Sequence, residues 1–296
     1  MAAMRVGVID IGSNTARLLV AEQRARGVER IGEAKAYLRL GAEILEYGAV
    51  RAAKLEETAL EARRFAAVAR ELDATAIDVI VTAPGRQAEN PDELVATIAR
   101  ATGHVVRVLS ADEEGRLAFE GALATTPLGR GAVAVCDAGG GSTEITVGDR
   151  RRGPVWSKSA DIGSLRLTAA ALRDDPPTPA QVAAAKTLVG GALDSIRPPK
   201  VKIALAVGGS ARALARLSGR TLDENTLASA LETIVSRPTD ELAATTTIDL
   251  SRAATLAGGA LILLDITRLL RRPLLLANGG LREGAAARLL NQAGAA

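Results

Sequence analysis

The sequence predicts an α/β protein of two similar lobes, and three observations carry that expectation. First, one strand–turn–strand pattern occurs twice. Near the start stands Val6-Gly-Val-Ile-Asp10-Ile-Gly-Ser-Asn-Thr15-Ala-Arg-Leu-Leu-Val20, and in mid-chain stands Ala132-Val-Ala-Val-Cys-Asp137-Ala-Gly-Gly-Gly-Ser-Thr-Glu144-Ile-Thr-Val147. Each is an apolar strand ending in Asp, a turn of Gly and Ser with Asn or Thr, and a second apolar strand. The two Asp residues lie 127 positions apart, which suits duplication of a domain rather than a short-period solenoid. Second, strands and helices alternate along the rest of the chain. Third, 296 residues at 48% hydrophobic and 24% charged content fit about two ordinary globular domains. A chain of this size buries roughly three-quarters of its unfolded surface and needs no staples.

The elements follow in order. Residues 6–9 and 18–22 read as a hairpin. Helical periodicity with charges on one face spans 55–71, and 76–81 reads as a strand. Asn90-Pro91 pairs an N-cap residue with proline at the first helical position, opening a helix to about 102. Residues 105–109 form a strand and 111–124 a helix. The turn-rich link 125–131 marks the lobe boundary, giving lobes 1–127 and 128–296, with the last helix able to pack back on the first lobe. The second lobe restarts with the hairpin 132–147, then the turn 149–153 and a helix over 179–196. A strand at 202–207 runs into Gly208-Gly209-Ser210 and a helix. Further helices are expected near 225–236 and 250–270, a strand at 274–277, and a short closing helix.

Composition excludes several classes. Aromatics are 2% of residues, too few for the stacking platforms that single-stranded nucleic acid needs. The one cysteine, Cys136, allows no intrachain disulfide, fits a reducing compartment and reads as a small core residue. The one histidine, His104, opens a strand and rules out a multi-histidine metal site. The first apolar run is cut by Asp10, so no secretory signal is read. The apolar stretch 253–264 is shorter than the ~20 residues of a membrane span. A cytoplasmic protein with no membrane or nucleic-acid partner is expected, and a net charge of +3 leans toward an anion.

The repeated turns suggest which anion. Consecutive backbone N–H groups in a glycine-rich turn converge on a phosphate, because glycine permits the backbone angles and the close approach. Gly140, Gly141, Ser142 and Thr143 supply one such turn, and Ser13 with Asn14 supply the other. Either alone also fits a tight hairpin with no ligand. Occurring twice after a strand-terminal Asp, they favour a phosphate held between two half-molecules. Gly208, Gly209 and Ser210, between a strand and a helix, join the set as a helix N-terminus. Mg²⁺ is typically held by one or two carboxylates with phosphate oxygens and water, which makes Asp137, Glu144 and Asp10 the metal candidates. Glu144 also reads as an exposed strand residue.

Two further residues carry chemistry. Ser110 and Glu113 are spaced as a capping box, so Glu113 has a structural task. Its neighbour Glu114 is the candidate for activating water, against the alternative of a solvated first-turn acid. Arg86, past a strand end, suits a bidentate phosphate clamp or an ordinary surface position. The arginines of the 149–153 turn and Arg271-Arg272 read first as a solvated hairpin tip and a helix end.

Asp10-Ile-Gly-Ser-Asn-Thr-Ala-Arg-Leu-Leu, Ser110-Ala-Asp-Glu-Glu-Gly-Arg-Leu-Ala-Phe, Asp137-Ala-Gly-Gly-Gly-Ser-Thr-Glu and Gly280-Leu-Arg-Glu-Gly284 together resemble the exopolyphosphatase/guanosine pentaphosphate phosphatase family, in the family's order and across nearly the whole chain. The resemblance implies the actin-like ATPase (ribonuclease H-like) fold with an interdomain cleft. It implies Mg²⁺-dependent removal of the terminal phosphate from inorganic polyphosphate, or of the 5′ γ-phosphate from guanosine pentaphosphate, and a homodimer. By position Glu114 matches the catalytic glutamate, Arg86 the phosphate-binding arginine, the two turns the phosphate loops, and Asp137 with Glu144 the acids near the metal. Ala111, Gly115 and Asn278 depart from the family's frequent Gly, Ala and Asp. The chain stops where longer members continue into an HD-type helical domain, implying the short two-domain form. Val207-Gly-Gly-Ser-Ala-Arg212 also resembles the adenosine-binding turn of actin-like ATPases and sugar kinases, which keeps a kinase open as an alternative. So does a non-catalytic polyphosphate- or alarmone-binding protein.

Overall fold

A computed structural model describes residues 4–24 and 27–294. Its contacts divide the chain into two compact units, residues 1–127 with 279–296 and residues 128–278. The closing residues thus pack with the first unit.

In the first unit, β1 (Arg5–Ile11) and β2 (Thr15–Arg24) form the expected antiparallel hairpin, with Asp10 opposite Arg17. A third strand, β3 (Gly27–Tyr37), extends it. On the other side β4 (Ala74–Val81) runs parallel to β1, and β5 (Val106–Val108) parallel to β4, so the order is β3-β2-β1-β4-β5. The helices are α1 (Leu40–Tyr47), α2 (Ala52–Glu71), α3 (Ala83–Gln87), α4 (Pro91–Thr102) and α5 (Ala111–Thr125). Helix α2 turns Leu55, Ala62, Phe65, Ala66 and Ala69 inward, against a core that includes Ile9, Leu18 and Val79. Phe65 is fully buried, and truncating such a ring to Ala costs about 3–5 kcal/mol.

The second unit repeats the plan. Strands β6 (Val133–Ala138), β7 (Thr143–Asp149) and β8 (Gly153–Ala160) form an antiparallel meander, followed by α6 (Ser164–Ala171) and α7 (Pro179–Leu193). Next, β9 (Ile203–Val207) lies parallel to β6 and leads into α8 (Gly208–Ser218). After β10 (Thr221–Leu222), α9 (Glu224–Val235), α10 (Thr239–Thr245), α11 (Leu250–Ala253) and α12 (Leu256–Leu270) comes β11 (Leu274–Leu276), parallel to β9. The order is β10-β11-β9-β6-β7-β8. Helix α12 is apolar nearly all round and buried accordingly. Cys136 is fully buried in this core and unpaired, and burial pushes its thiol pKa up.

The last helix, α13 (Leu281–Gly294), packs on α5 in the first unit. The two backbones touch: a Cβ at Gly121 would stand 1.9 Å from the Gly280 carbonyl oxygen, and one at Gly284 2.1 Å from that of Leu117. This accounts for Gly121 in α5 and for Gly284 in Gly280-Leu-Arg-Glu-Gly284. Its Arg282 is buried and donates to the Leu18 carbonyl, while Glu283 accepts from Gly280 N and from Arg30.

Several expectations change. Edge strands β3 and β8, and helices α1, α6 and α10, were not foreseen. The helix expected over 250–270 is broken at Ala254–Thr255. Asn90 precedes α4 but does not cap it; its amide instead bonds both the N–H and the carbonyl of Val50. Among the described residues no helix is long and apolar enough to cross a membrane.

Candidate active site

The two Asp–Gly–Ser turns have the same internal bond. Gly12 N donates to the Thr15 carbonyl at 3.0 Å, and Gly139 N donates to the Ser142 carbonyl at 3.0 Å. Two further carbonyls of each turn are tied to a segment that starts a helix. Ser13 and Asn14 carbonyls accept from Gly41, Leu38 and Arg39; Gly139 and Gly140 carbonyls accept from Ser164, Leu165 and Arg166. With those carbonyls bonded to the protein, the turn N–H groups not used in the closing bond are the candidates for an anion.

Side chains reinforce this. Ser13 and Asn14 are each 4% exposed, and the Ser13 hydroxyl and the Asn14 amide have no partner among the described residues. Leaving a buried polar group unmade costs about 1–3 kcal/mol, which makes these groups candidates for holding a ligand. Ser210, in the other unit, is 1% exposed with its hydroxyl likewise unpartnered among the described residues. Gly208, Gly209 and Ser210 do not form a separate turn: they are the first turn of α8, whose N-terminus has no side-chain cap. Thr143 leaves the set of side-chain donors, because its hydroxyl proton goes to the Ile162 carbonyl at 2.6 Å.

The acidic candidates divide between the units. Asp137 on β6 and Glu144 on β7 are cross-strand partners, so both carboxylates project from one face of that sheet. Glu144 is 1% exposed, not a surface strand residue, and its Oε1 accepts from Ser159 at 2.9 Å. Gly208 adjoins Asp137: its φ is +87°, and a Cβ there would lie 2.5 Å from Asp137 Oδ1. Asp10 lies on β1 of the first unit. Among the described residues no three His, Cys, Asp or Glu side chains gather into a metal cluster. One cross-strand pair of carboxylates is the donor set that suits Mg²⁺ completed by phosphate and water.

In the first unit, Arg86 and Glu114 come together. The stretch past the end of β4 is the short helix α3, which presents Arg86; its Nη1 donates to the Leu109 carbonyl at 2.8 Å and to Glu114 Oε2 at 2.9 Å. Glu114 is 8% exposed, so it is not a solvated first-turn acid. Beside it the capping box is complete: Ser110 Oγ accepts from Glu113 N, and the Glu113 carboxylate accepts from the Ser110 hydroxyl and from Ser110 N, which together lower its pKa. One residue thus fixes the helix start and the next is free of that task.

Sequence reasoning missed two supports. Gly163 lets the segment after β8 touch the glycine turn, since a Cβ there would stand 2.4 Å from Gly140. Arg252 sets its guanidinium against Gly209 at the α8 N-terminus, 2.5 Å from where a Cβ would be. The break between α11 and α12 places Arg252, and no Gly or Pro signals that break.

A profile of the Ppx/GppA phosphatase family matches residues 19–293. "Exopolyphosphatase 2" of Mycobacterium tuberculosis is 32% identical over 228 residues, covering 74% of this chain and 71% of the relative. A "Guanosine-5'-triphosphate,3'-diphosphate pyrophosphatase" of Pseudoalteromonas translucida is 29% identical over 73% of this chain and 44% of its own length. Among solved structures, the Aquifex aeolicus member of the Ppx/GppA family superposes with a TM-score of 0.82 at 26% identity, covering 99% of both chains.

Proposed function

We infer that this chain, which belongs to the Ppx/GppA phosphatase family and is a phosphoanhydride hydrolase, acts as an exopolyphosphatase. It removes the terminal phosphate of inorganic polyphosphate. The observation that carries the reading is Glu114: a buried carboxylate at a helix start, oriented by Arg86 at 2.9 Å and relieved of capping by Glu113. Phosphoryl transfer asks little covalent work of a protein; it asks for positioning, charge neutralisation and an oriented nucleophile. Glu114 orients a water and takes its proton as the oxygen attacks the terminal phosphorus. The bond to the bridging oxygen breaks, releasing orthophosphate and a chain one unit shorter. Ser13 and Asn14 are the proposed phosphate donors of the first unit, and the N–H groups of residues 140–142 with Ser210 are those of the second. Arg86 holds the carboxylate in place and adds positive charge beside the transferred group. Mg²⁺, which Asp137 and Glu144 fit, would neutralise phosphate charge when bound.

A second reading, 5′-phosphate removal from guanosine pentaphosphate, draws on the Pseudoalteromonas relative, and both substrates end in the same anhydride. Orthophosphate release with Mg²⁺, compared across polyphosphate, guanosine pentaphosphate, and ATP with sugars, ranks the readings. The expected order puts polyphosphate first in kcat/KM. Guanosine pentaphosphate first would establish the second reading. Phosphate transfer from ATP to a sugar would overturn both.

A further inference from the structure

The second sheet has a cationic end, opposite the end that bears its phosphate turn. The register fixes this. Val133 at the start of β6 lies beside Ile203 of β9 and Gly148 of β7, Asp149 of β7 opposes Gly153 of β8, and Leu274 of β11 lies beside Ala204. Residues just before β6, β9 and β11, and those of the β7–β8 turn, therefore share one end. They are Arg130, then Lys200 and Lys202, then Arg271 and Arg272, and three successive arginines in the 149–153 turn, all exposed. Five neighbouring strands at about 4.8 Å spacing spread this row over roughly 19 Å. The glycine turn and α8 follow the opposite strand ends, about 17–20 Å away for strands of this length.

Little opposes the charge. Asp149 stays ionised within the arginine turn, accepting from the backbone N–H groups of Arg151 and Arg152 at 2.8 and 2.9 Å, and Asp223 at the α9 N-cap is a second acid at this end, so the cations outnumber the acids. Glu224 pairs with Arg268. Among the described residues, Arg130, Lys200, Lys202, Arg271 and Arg272 make no ion pair. The row is also held in shape: Arg271 adopts a left-handed φ of 52° to end α12, and Arg272 Nε donates to the Val201 carbonyl at 3.2 Å.

A row this long exceeds what a single phosphate needs and matches a polyanion. Nucleic acid of the single-stranded kind would use aromatic platforms, and the unit's single Trp, Trp156, packs against the core instead. We propose that this end of the second sheet is a non-catalytic binding surface for the distal part of long inorganic polyphosphate. The proposal rests on the exopolyphosphatase reading above and deepens it. It raises affinity for long chains without touching the reacting phosphate.

The test uses the full chain carrying Arg130→Gln, Lys200→Gln, Lys202→Gln and Arg271→Asn, the last chosen because Asn tolerates a left-handed backbone. Arg151→Gln with Arg152→Gln is the second variant should the first melt early. Binding of end-labelled polyphosphate of about a hundred units is measured by anisotropy against salt, and turnover is measured on that polymer and on tripolyphosphate. The expected result is a Kd and KM for the polymer at least tenfold higher, with kcat and all tripolyphosphate constants within twofold. The salt slope becomes shallower by about 3 if polyphosphate releases counterions as a single strand does. An unchanged polymer Kd, or an equal loss on tripolyphosphate, overturns the proposal. So does tighter binding of single-stranded DNA of equal charge, which would make the row a nucleic-acid surface. If the wild type releases phosphate from neither substrate, the hydrolase reading fails, while the binding arm still decides the row.

Discussion

The two repeats begin alike and end differently. Both run strand, turn, strand, edge strand and helix, and both close their turn with the same bond. The likeness reaches further than the turns. Arg86 stands five residues past the last residue of β4, and Arg212 five past that of β9. At the last helix of each repeat, Glu113 and Glu283 hold the third helical position and reach back to the N–H of Ser110 and Gly280, at 2.9 and 2.8 Å. The next residue separates them. The first repeat has Glu114, beside Arg86; the second has Gly284, whose place is filled by the Leu117 carbonyl of the neighbouring helix. On the proposed reading the first repeat gives that position to chemistry, while the second gives it to packing. A carboxylate fits there only where the helix start is left uncrowded.

That contrast can be broken at Gly284. Replacing it with Ala forces a backbone shift between α5 and α13 and should cost about 3 kcal/mol, lowering Tm by roughly 5–10 °C. Thermal unfolding at the wild-type Tm would remove packing as the reason for the asymmetry. Gly208→Ala sharpens the comparison within the second repeat. Its positive φ and the adjacent Asp137 carboxylate predict a loss of about 1–3 kcal/mol in denaturant unfolding.

Ser13→Ala and Ser210→Ala ask whether both repeats keep groups for phosphate. Each removes a hydroxyl that has no partner among the described residues. Stability should hold or rise by up to about 1 kcal/mol while KM for polyphosphate rises about tenfold, at a cost of roughly 1–2 kcal/mol in binding. A fall in stability with unchanged KM would make these hydroxyls structural. The smallest effect is expected at Glu113→Ala, a lost cap of about 1 kcal/mol at neutral pH. Bonds from Ser110 lower the Glu113 pKa in the folded state. Its contribution is therefore complete above the unfolded value of about 4.3 and disappears as pH falls through the lower folded value. Urea midpoints of variant and wild type should differ at pH 7 and converge in strong acid.

Much of this was legible in the residues. The doubled hairpin, helices α2, α4, α5 and α7, the capping box and the Glu113–Glu114 division all follow from local pattern. What was hidden has physical causes. Edge strands β3 and β8 bury neither face fully, so Gly-Val-Glu-Arg-Ile-Gly and Gly-Pro-Val-Trp-Ser-Lys show no clean alternation. Helix α1 starts from Arg39 in a left-handed conformation with no side-chain cap, and α6 starts from Gly163 with none. The burial of Glu114 and Glu144 and the loss of Thr143 as a donor depend on partners distant in sequence, Arg86, Ser159 and Ile162.

Glu114 is proposed to do the chemistry that the duplicated scaffold alone does not. Glu114→Gln keeps its shape and removes its basicity. Turnover and binding of tripolyphosphate are measured on the same protein with Mg²⁺. The expected result is a kcat lower by about 10²–10⁴ with a Kd that stays level or tightens. A kcat within tenfold of wild type, or a lost affinity that accounts for the lost rate, would contradict it.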